Sequence, residues 1–333
     1  MKDTSPGLNT DLLDLPFDQY QRYRLLADLI QIIGEESQPR ILEVGGAPVK
    51  ITRFLPGYEI TVADQIQDHH PGYVRADAIN LPFADNSFEL VASLDTLEHI
   101  HPDLREGFVA ELARISSKLI ILAAPFHSNK SRQAEQIIFE FIKAHLGYEH
   151  QYFKEHLAHD KPDMVETELY FIAQNYHTLI LPNGRLDRWI LMMFVYYYLE
   201  GDDAYRELNR NLSAFYNQHY YTSDNAEPAY RHFLVASQDG FGERAEKILA
   251  LANAEPGTVP DFEAVQSLIE LARLKQDKSL RQRIEQLEDI LRTRDEEVQG
   301  LREHVKSLED FVSRARATPF YKIYTRFFKN RKA

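Results

Sequence analysis

At 333 residues, 44% of them apolar and 27% charged, the chain can build one large or two ordinary domains with real cores. It has no cysteine, which excludes disulfides, thiolate metal sites and a cysteine nucleophile. The net charge of −13 is uneven: Phe311 to Ala333 carries seven basic residues and no acid, leaving −20 on residues 1–310, and so acidic a body repels phosphate polymers and argues against a nucleic-acid partner.

Residues 1–15 are polar and turn-rich and lack the apolar stretch of a signal peptide, so the expected location is the cytoplasm. Pro16 to Ile33 reads as a helix, with Tyr20, Tyr23, Leu26, Ala27 and Ile30 at helical spacing and Gly34 closing it. Ile41-Leu-Glu-Val then runs into Gly45-Gly-Ala-Pro-Val49, the pattern of a buried strand ending in a tight turn. Gly45 and Gly46 would let bare backbone lie against a ligand, and Glu43 sets a carboxylate at the mouth of the turn. A short helix over Val49 to Leu55 precedes a second strand, Glu59 to Ala63, closed by Asp64 about twenty residues after the turn. That is the spacing at which a βαβ unit offers an acid to ribose hydroxyls.

A short third strand begins at Tyr73, Asp77-Ala78 follow it, and Leu81-Pro-Phe-Ala-Asp-Asn-Ser-Phe leads into a fourth strand, Phe88 to Leu94, that ends at Asp95. Its nearly continuous apolar character predicts cover on both faces. Thr96-Leu-Glu-His-Ile100 comes next, then an amphipathic helix over Pro102 to Ile115 and a fifth strand from Lys118 to Ala124. Strands alternating with helices predict a Rossmann-like, doubly wound parallel sheet with its ligand over the carboxyl ends of the strands.

The glycine turn, the acid closing strand two, the Ala-Asp-Ala…Leu-Pro-Phe-x-Asp-x-Ser-Phe block and the Leu-Glu-His-Ile ending together resemble class I S-adenosylmethionine-dependent methyltransferases, in their type-11 (UbiE/small-molecule) branch. The likeness covers residues 38–126 and, more loosely, runs to about 238. It implies a seven-stranded sheet, S-adenosylmethionine as cofactor, and a site made of Glu43, Gly45, Gly46, Ala47, Asp64, Asp77, Ala78, Leu94 and Asp95. Asp64 would hold the ribose, Asp77 and the backbone of Ala78 the adenine, and Asp95 with the Leu94 carbonyl the methionine part. The chain departs from the family at Ala47 and Val49, which stand where glycines are usual, with Pro48 between them. The G-x-G-x-x-G of a dinucleotide fold lacks its last two glycines here, so nicotinamide ranks below the sulfonium cofactor. The resemblance also sets the first helix over the cofactor mouth, where Tyr20 or Tyr23 would either face the sulfonium or simply pack.

Beyond Pro125-Phe-His127 the core is interrupted by an insert. It comprises a helix, Ser131 to Leu146, and a histidine- and aromatic-rich loop, Gly147 to Lys161. A helix over Asp163 to Asn175 and a sixth strand, Tyr176 to Leu181, follow. A second insert, Arg185 to Tyr220, supplies two helices and the apolar run Trp189 to Leu199, and Ala229 to Ala236 is the seventh strand. The eleven-residue run is too short to span a bilayer. The inserts are where an acceptor is expected. His127 and His99, at strand ends, are the candidate catalytic bases for a hydroxyl acceptor. The trio His156, His159 and Asp160 lacks supporting acids, and no metal is assigned.

The domain is read as residues 1–238, with inserts at 128–161 and 185–220, followed by a linker over 239–261 broken by a short helix. From Leu280 a heptad runs with Ile284, Leu291, Val298, Val305 and Val312 at a, and Leu280, Leu287, Arg294, Leu301, Leu308 and Ala315 at d. Residues 262–317 are therefore expected to form a parallel, homodimeric coiled coil. Past Pro319, aromatic residues at helical spacing among basic ones make 318–333 a tail for an anionic membrane surface or an acidic partner, which would place the enzyme at the inner face of the membrane. The leading reading is O-methylation of a sugar of a cell-surface glycan or its lipid-linked precursor. The alternatives are a lipid- or quinone-like small-molecule acceptor and a catalytically silent coiled-coil scaffold.

Overall fold

The structure, a computed structural model, describes residues 10–34, 38–201, 205–252 and 262–317; the basic tail, 318–333, lies outside them. The chain divides into two compact units, Met1–Ile269 and Glu270–Ala333.

The first unit is built on seven strands: β1 (Ile41–Val44), β2 (Ile60–Asp64), β3 (Tyr73–Arg75), β4 (Phe88–Leu94), β5 (Ser116–Ala124), β6 (His177–Arg185) and β7 (Ala229–Ser237). Their order in the sheet is β3-β2-β1-β4-β5-β7-β6. Side chains alternate between two cores, as the two-residue repeat of a strand requires. Leu119, Ile121 and Ala123 face one core, and Ile120, Leu122 and Ala124 face the other. The first core is roofed by α2 (Phe17–Ile33), which follows a single turn, α1 (Thr10–Leu13), and is closed at Gly34 by a backbone bond to the Ile30 carbonyl. The second lies under α4 (Arg105–Ile115), whose Phe108, Val109, Leu112 and Ile115 are buried.

Three differences separate this domain from the sequence reading. The sheet is mixed, because β7 runs antiparallel to both β5 and β6. The chain leaves the carboxyl end of β6 through α8 (Leu186–Glu200) and α9 (Arg206–Tyr220), so it re-enters the sheet from that same edge. The helix after the glycine turn, α3, is only one turn, Ile51–Phe54. The first insert contains α5 (Asn129–Leu146), and the segment expected as a loop contains α6, Gln151–Ala158, with Phe153 and His156 buried. Aromatic and histidine side chains at helical spacing had a neighbour to pack on, and tertiary contact decided the conformation.

After α7 (Met164–Ala173) and β6–β7, α10 (Arg244–Ala250) packs on α2 with Ile248 fully buried. Residues 239–252 thus join the first unit, and the division falls inside the long helix α11 (Phe262–Ala317) instead of at 238. In the second unit the heptad residues from Leu280 to Val312, including Ile284, Leu287, Leu301 and Leu308, stand exposed along α11. Among the described residues no helix is long and apolar enough to cross a membrane.

Candidate active site

The predicted cofactor residues lie at the carboxyl ends of β1, β2, β3 and β4, and His127 follows β5. Gly45 takes φ +83°, and a Cβ there would strike the Thr96 hydroxyl. At Gly46 a Cβ would strike the Glu43 carboxylate. Gly45 needs glycine for its left-handed backbone and for the closeness of Thr96, and Gly46 lies against the Glu43 carboxylate. Thr96 donates to the Leu94 carbonyl at 3.2 Å and to that of Val44 at 3.3 Å, tying the ends of β4 and β1 together.

Glu43 is buried in β1, and neither carboxylate oxygen has a hydrogen-bond partner. Burial pushes its pKa up to about 7, against the lowering influence of Tyr23, Arg22 and Lys50. The Tyr23 hydroxyl is the donor nearest the Glu43 carboxylate, and the carboxylate lies directly beneath the glycine turn.

Asp64 closes the turn. Its Oδ2 accepts the Ala47 amide at 2.9 Å and its Oδ1 accepts that of Ile66 at 3.0 Å. Each carboxylate oxygen keeps a further lone pair for a ribose hydroxyl. Asp77 makes a local turn, accepting the Ile79 amide at 3.2 Å, and Ala78 is buried beside it. Asp68, not singled out from sequence, accepts the amides of Val49, His69 and His70, which hold its pKa below the ordinary carboxylate value.

Asp95 behaves differently. It sits at φ 48°, a left-handed conformation that aspartate tolerates better than most residues. Arg231 binds both of its oxygens, Nε to Oδ1 at 2.9 Å and Nη2 to Oδ2 at 2.7 Å, and Arg22 adds a contact at 2.5 Å. Burial opposes ionisation, but Arg231 and Arg22 more than offset it and hold the pKa down to about 2. Arg231 also reaches Asp18, so two acids and two arginines form one neutral cluster linking α2, β4 and β7. Asp95 is thus already engaged by two arginines, of which Arg22, on α2, is the more exposed.

Tyr20 and Tyr23 are buried in packing contacts. Tyr23 stacks on Phe54 with ring centroids 5.6 Å apart, and Tyr20 meets Tyr221 edge to face. His127 stands exposed in the turn after β5, its amide donating to the Pro162 carbonyl at 2.8 Å. His99, in a 3-10 turn over Leu97–His99, is held between Glu155 and His156. Burial and the neighbouring His156 both lower the His99 pKa. For His156 burial also disfavours the charged ring, but the Glu135 carboxylate outweighs it and raises the pKa. Burial, then the charge of Asp95, pushes Glu98 up to about 8. The trio His156, His159 and Asp160 is split: His159 lies against the His101 ring, and exposed Asp160 pairs with Arg132.

Arg22, Arg231, Glu135 and Lys161 were missed from sequence. Arg231 carried a signal, as a lone cation in the apolar run Ala229 to Ala236. Glu135 did as well, lying on the apolar face of α5 with Ala134, Ile138, Phe141 and Ile142.

Residues 55–119 match the profile of the family described as "Methyltransferase domain". Over 63 residues the chain is 33% identical to norajmaline N-methyltransferase of Rauvolfia serpentina, a stretch covering 18% of this chain and 21% of that protein. The chain therefore spans about a fifth of the length of this curated relative. Among solved structures it is similar to a SAM-dependent methyltransferase from Archaeoglobus fulgidus, with 14% identity, TM-score 0.38, and coverage of 66% of this chain and 97% of that one. It is also similar to phosphoethanolamine N-methyltransferase 2 of Haemonchus contortus in complex with phosphomonomethylethanolamine and S-adenosylhomocysteine, with 14% identity, TM-score 0.40, and coverage of 65% and 52%. Overlaps this loose add nothing to the strand order itself. The matched segment runs from Leu55 through β2, β3, β4 and α4 to Leu119 in β5, the part of the sheet that carries Asp64, Asp77 and Asp95.

Proposed function

We propose that the protein is an S-adenosylmethionine-dependent methyltransferase acting on a sugar hydroxyl of a cell-surface glycan or of its lipid-linked precursor. The observation that carries the first half is the buried Glu43 carboxylate under a glycine turn, with the neighbouring strand ending in Asp64, whose oxygen accepts the Ala47 amide of that turn. Glu43, Asp64, Asp77, Ala78 and the Leu94 carbonyl are the groups that would hold the cofactor, with Arg22 rather than Asp95 closing the α2 side. When bound, the cofactor supplies an electrophilic methyl group on a sulfonium. The protein has to align the acceptor, exclude water and take a hydroxyl proton, and exposed His127 is the base offered for the last task.

The acceptor half rests on the inserts that follow β5 and β6. They offer the exposed rings of Tyr148, Tyr152 and Tyr198, amphipathic faces suited to a sugar ring. The lipid or quinone alternative draws on the apolar run of α8, but Trp189, Ile190, Tyr197 and Leu199 are buried inside the domain, and Trp189 is stacked on Tyr230. Leu191, half exposed on the same helix, is the side chain of the run most open to an apolar acceptor.

Calorimetry with S-adenosylmethionine and S-adenosylhomocysteine tests the cofactor, and Asp64→Ala should remove the heat. Absence of heat from the wild-type chain sinks the reading and leaves the silent scaffold. Labelled-methyl screening against sugars and quinone analogues tests the acceptor.

The exposed a and d residues of α11 support pairing with a second copy of the chain as a parallel coiled coil, since an apolar seam of this length is otherwise open to water. Arg294 breaks the seam and bonds instead to Glu297 on its own helix. Two copies would bring two basic tails to an anionic membrane surface or acidic partner, where weak attractions add. Light scattering on the wild-type chain and on Leu287→Asp tests the pairing.

A further inference from the structure

We propose that Glu98, His99 and His156 form a binding site for one divalent transition-metal ion, zinc foremost. Glu98 and His99 come from the 3-10 turn after β4, and His156 comes from α6 in the first insert. One ligand atom from each of the three lies within 4.8 Å of the other two.

The hydrogen bonds point the rings at each other. His99 Nδ1 lies 3.2 Å from Glu155 Oε2, and His156 Nδ1 lies 2.9 Å from Glu135 Oε1. A carboxylate can only accept, so each Nδ1 carries its proton, and the two Nε2 atoms are left facing each other at 3.3 Å. At that distance they either share one proton or, with both unprotonated, converge on a single metal ion. Two imidazole nitrogens held tetrahedrally by one zinc at about 2.0–2.1 Å are themselves about 3.3 Å apart.

Glu98 supplies the second, independent observation. It is 6% exposed, and neither of its oxygens has a hydrogen-bond partner. A carboxylate so placed beside two converging imidazoles is a third ligand in waiting. Lys161 sits 2.8 Å from Glu135, which leaves Glu98 and Glu155 without an ammonium at ion-pair distance among the described residues. Outer carboxylates on both histidines, fixing tautomer and ring orientation, are what metal-bound histidines ordinarily have. Nitrogen donors favour zinc over magnesium or calcium, which prefer oxygen. Three protein ligands leave one tetrahedral position for water or a substrate oxygen. Ion binding stands independently of the methyl-transfer reading.

The full chain, stripped with a chelator, should bind one zinc per chain in competition with a chromophoric chelator. Cobalt in its place should give the intense visible absorption of a tetrahedral centre. His156→Ala and Glu98→Gln should each weaken zinc binding at least tenfold, and Glu135→Gln about tenfold as an outer-carboxylate loss. His219→Ala on α9 should leave it unchanged. No saturable zinc binding by the wild-type chain, or a weak octahedral cobalt spectrum, would overturn the site, because the histidines would then share a proton instead. The cobalt spectrum is read on the wild-type chain, so misfolding of a variant cannot account for its outcome.

Discussion

The two halves of the sheet's carboxyl edge use the same residue types in opposite ways. On the β1–β3 side, Asp64, Asp68 and Asp77 spend their oxygens on backbone amides, most of them one or two residues away. On the β4–β7 side, Asp95 and Glu135 are buried among cations delivered from far along the chain, such as Arg231 136 residues beyond Asp95. The first arrangement shapes loops and leaves lone pairs for a ligand. The second welds helices to strands, and its free energy depends on every partner being present.

That contrast can be broken from either side. The largest effect should come from Arg231→Ala, which strips Asp95 and Asp18 of a buried partner and should cost about 3–5 kcal/mol in denaturant unfolding. A loss under about 1 kcal/mol would mean the cluster is not the weld described. Next is Glu43, whose folded pKa of about 7 exceeds its ordinary 4.5. The folded state binds the extra proton, so the stabilising contribution is full below about pH 4.5 and disappears as pH rises through 7. That amounts to about 3 kcal/mol. Subtracting the pH–stability curve of Glu43→Gln from that of the wild type should isolate this fall, and superimposable curves would refute it. Asp64→Ala should then weaken S-adenosylmethionine binding by tenfold or more, about 1.4 kcal/mol, while changing stability far less. Smallest of all, Asp77→Ala removes a local turn bond and should shift stability by under about 1 kcal/mol.

Legibility from sequence follows the same division. Strand β4 and helix α2 lie where periodicity and the closing glycine put them, because each is decided by residues within its own span. Asp64 closes β2 where its spacing from the glycine turn put it, for the same reason. Nothing local to Asp95 announces Arg231 or Arg22, and nothing local to His99 announces His156, since each pairing exists only once a later element has docked. The reversed direction of β7 was hidden too: an apolar strand reads alike in both directions, and only the route of α8 and α9 over the edge decides it.

The last strand made is not the last strand in space. β7 slots between β5 and β6, and it brings Tyr230 to Glu135 and Arg231 to Asp95. A nascent chain halted before Ala229 would hold two unjoined sheet edges and two acids awaiting their partners. Synthesis of β7 is therefore the step that brings Arg231 to Asp95 and Asp18, and truncations short of Ser237 should be recovered as aggregates or not at all.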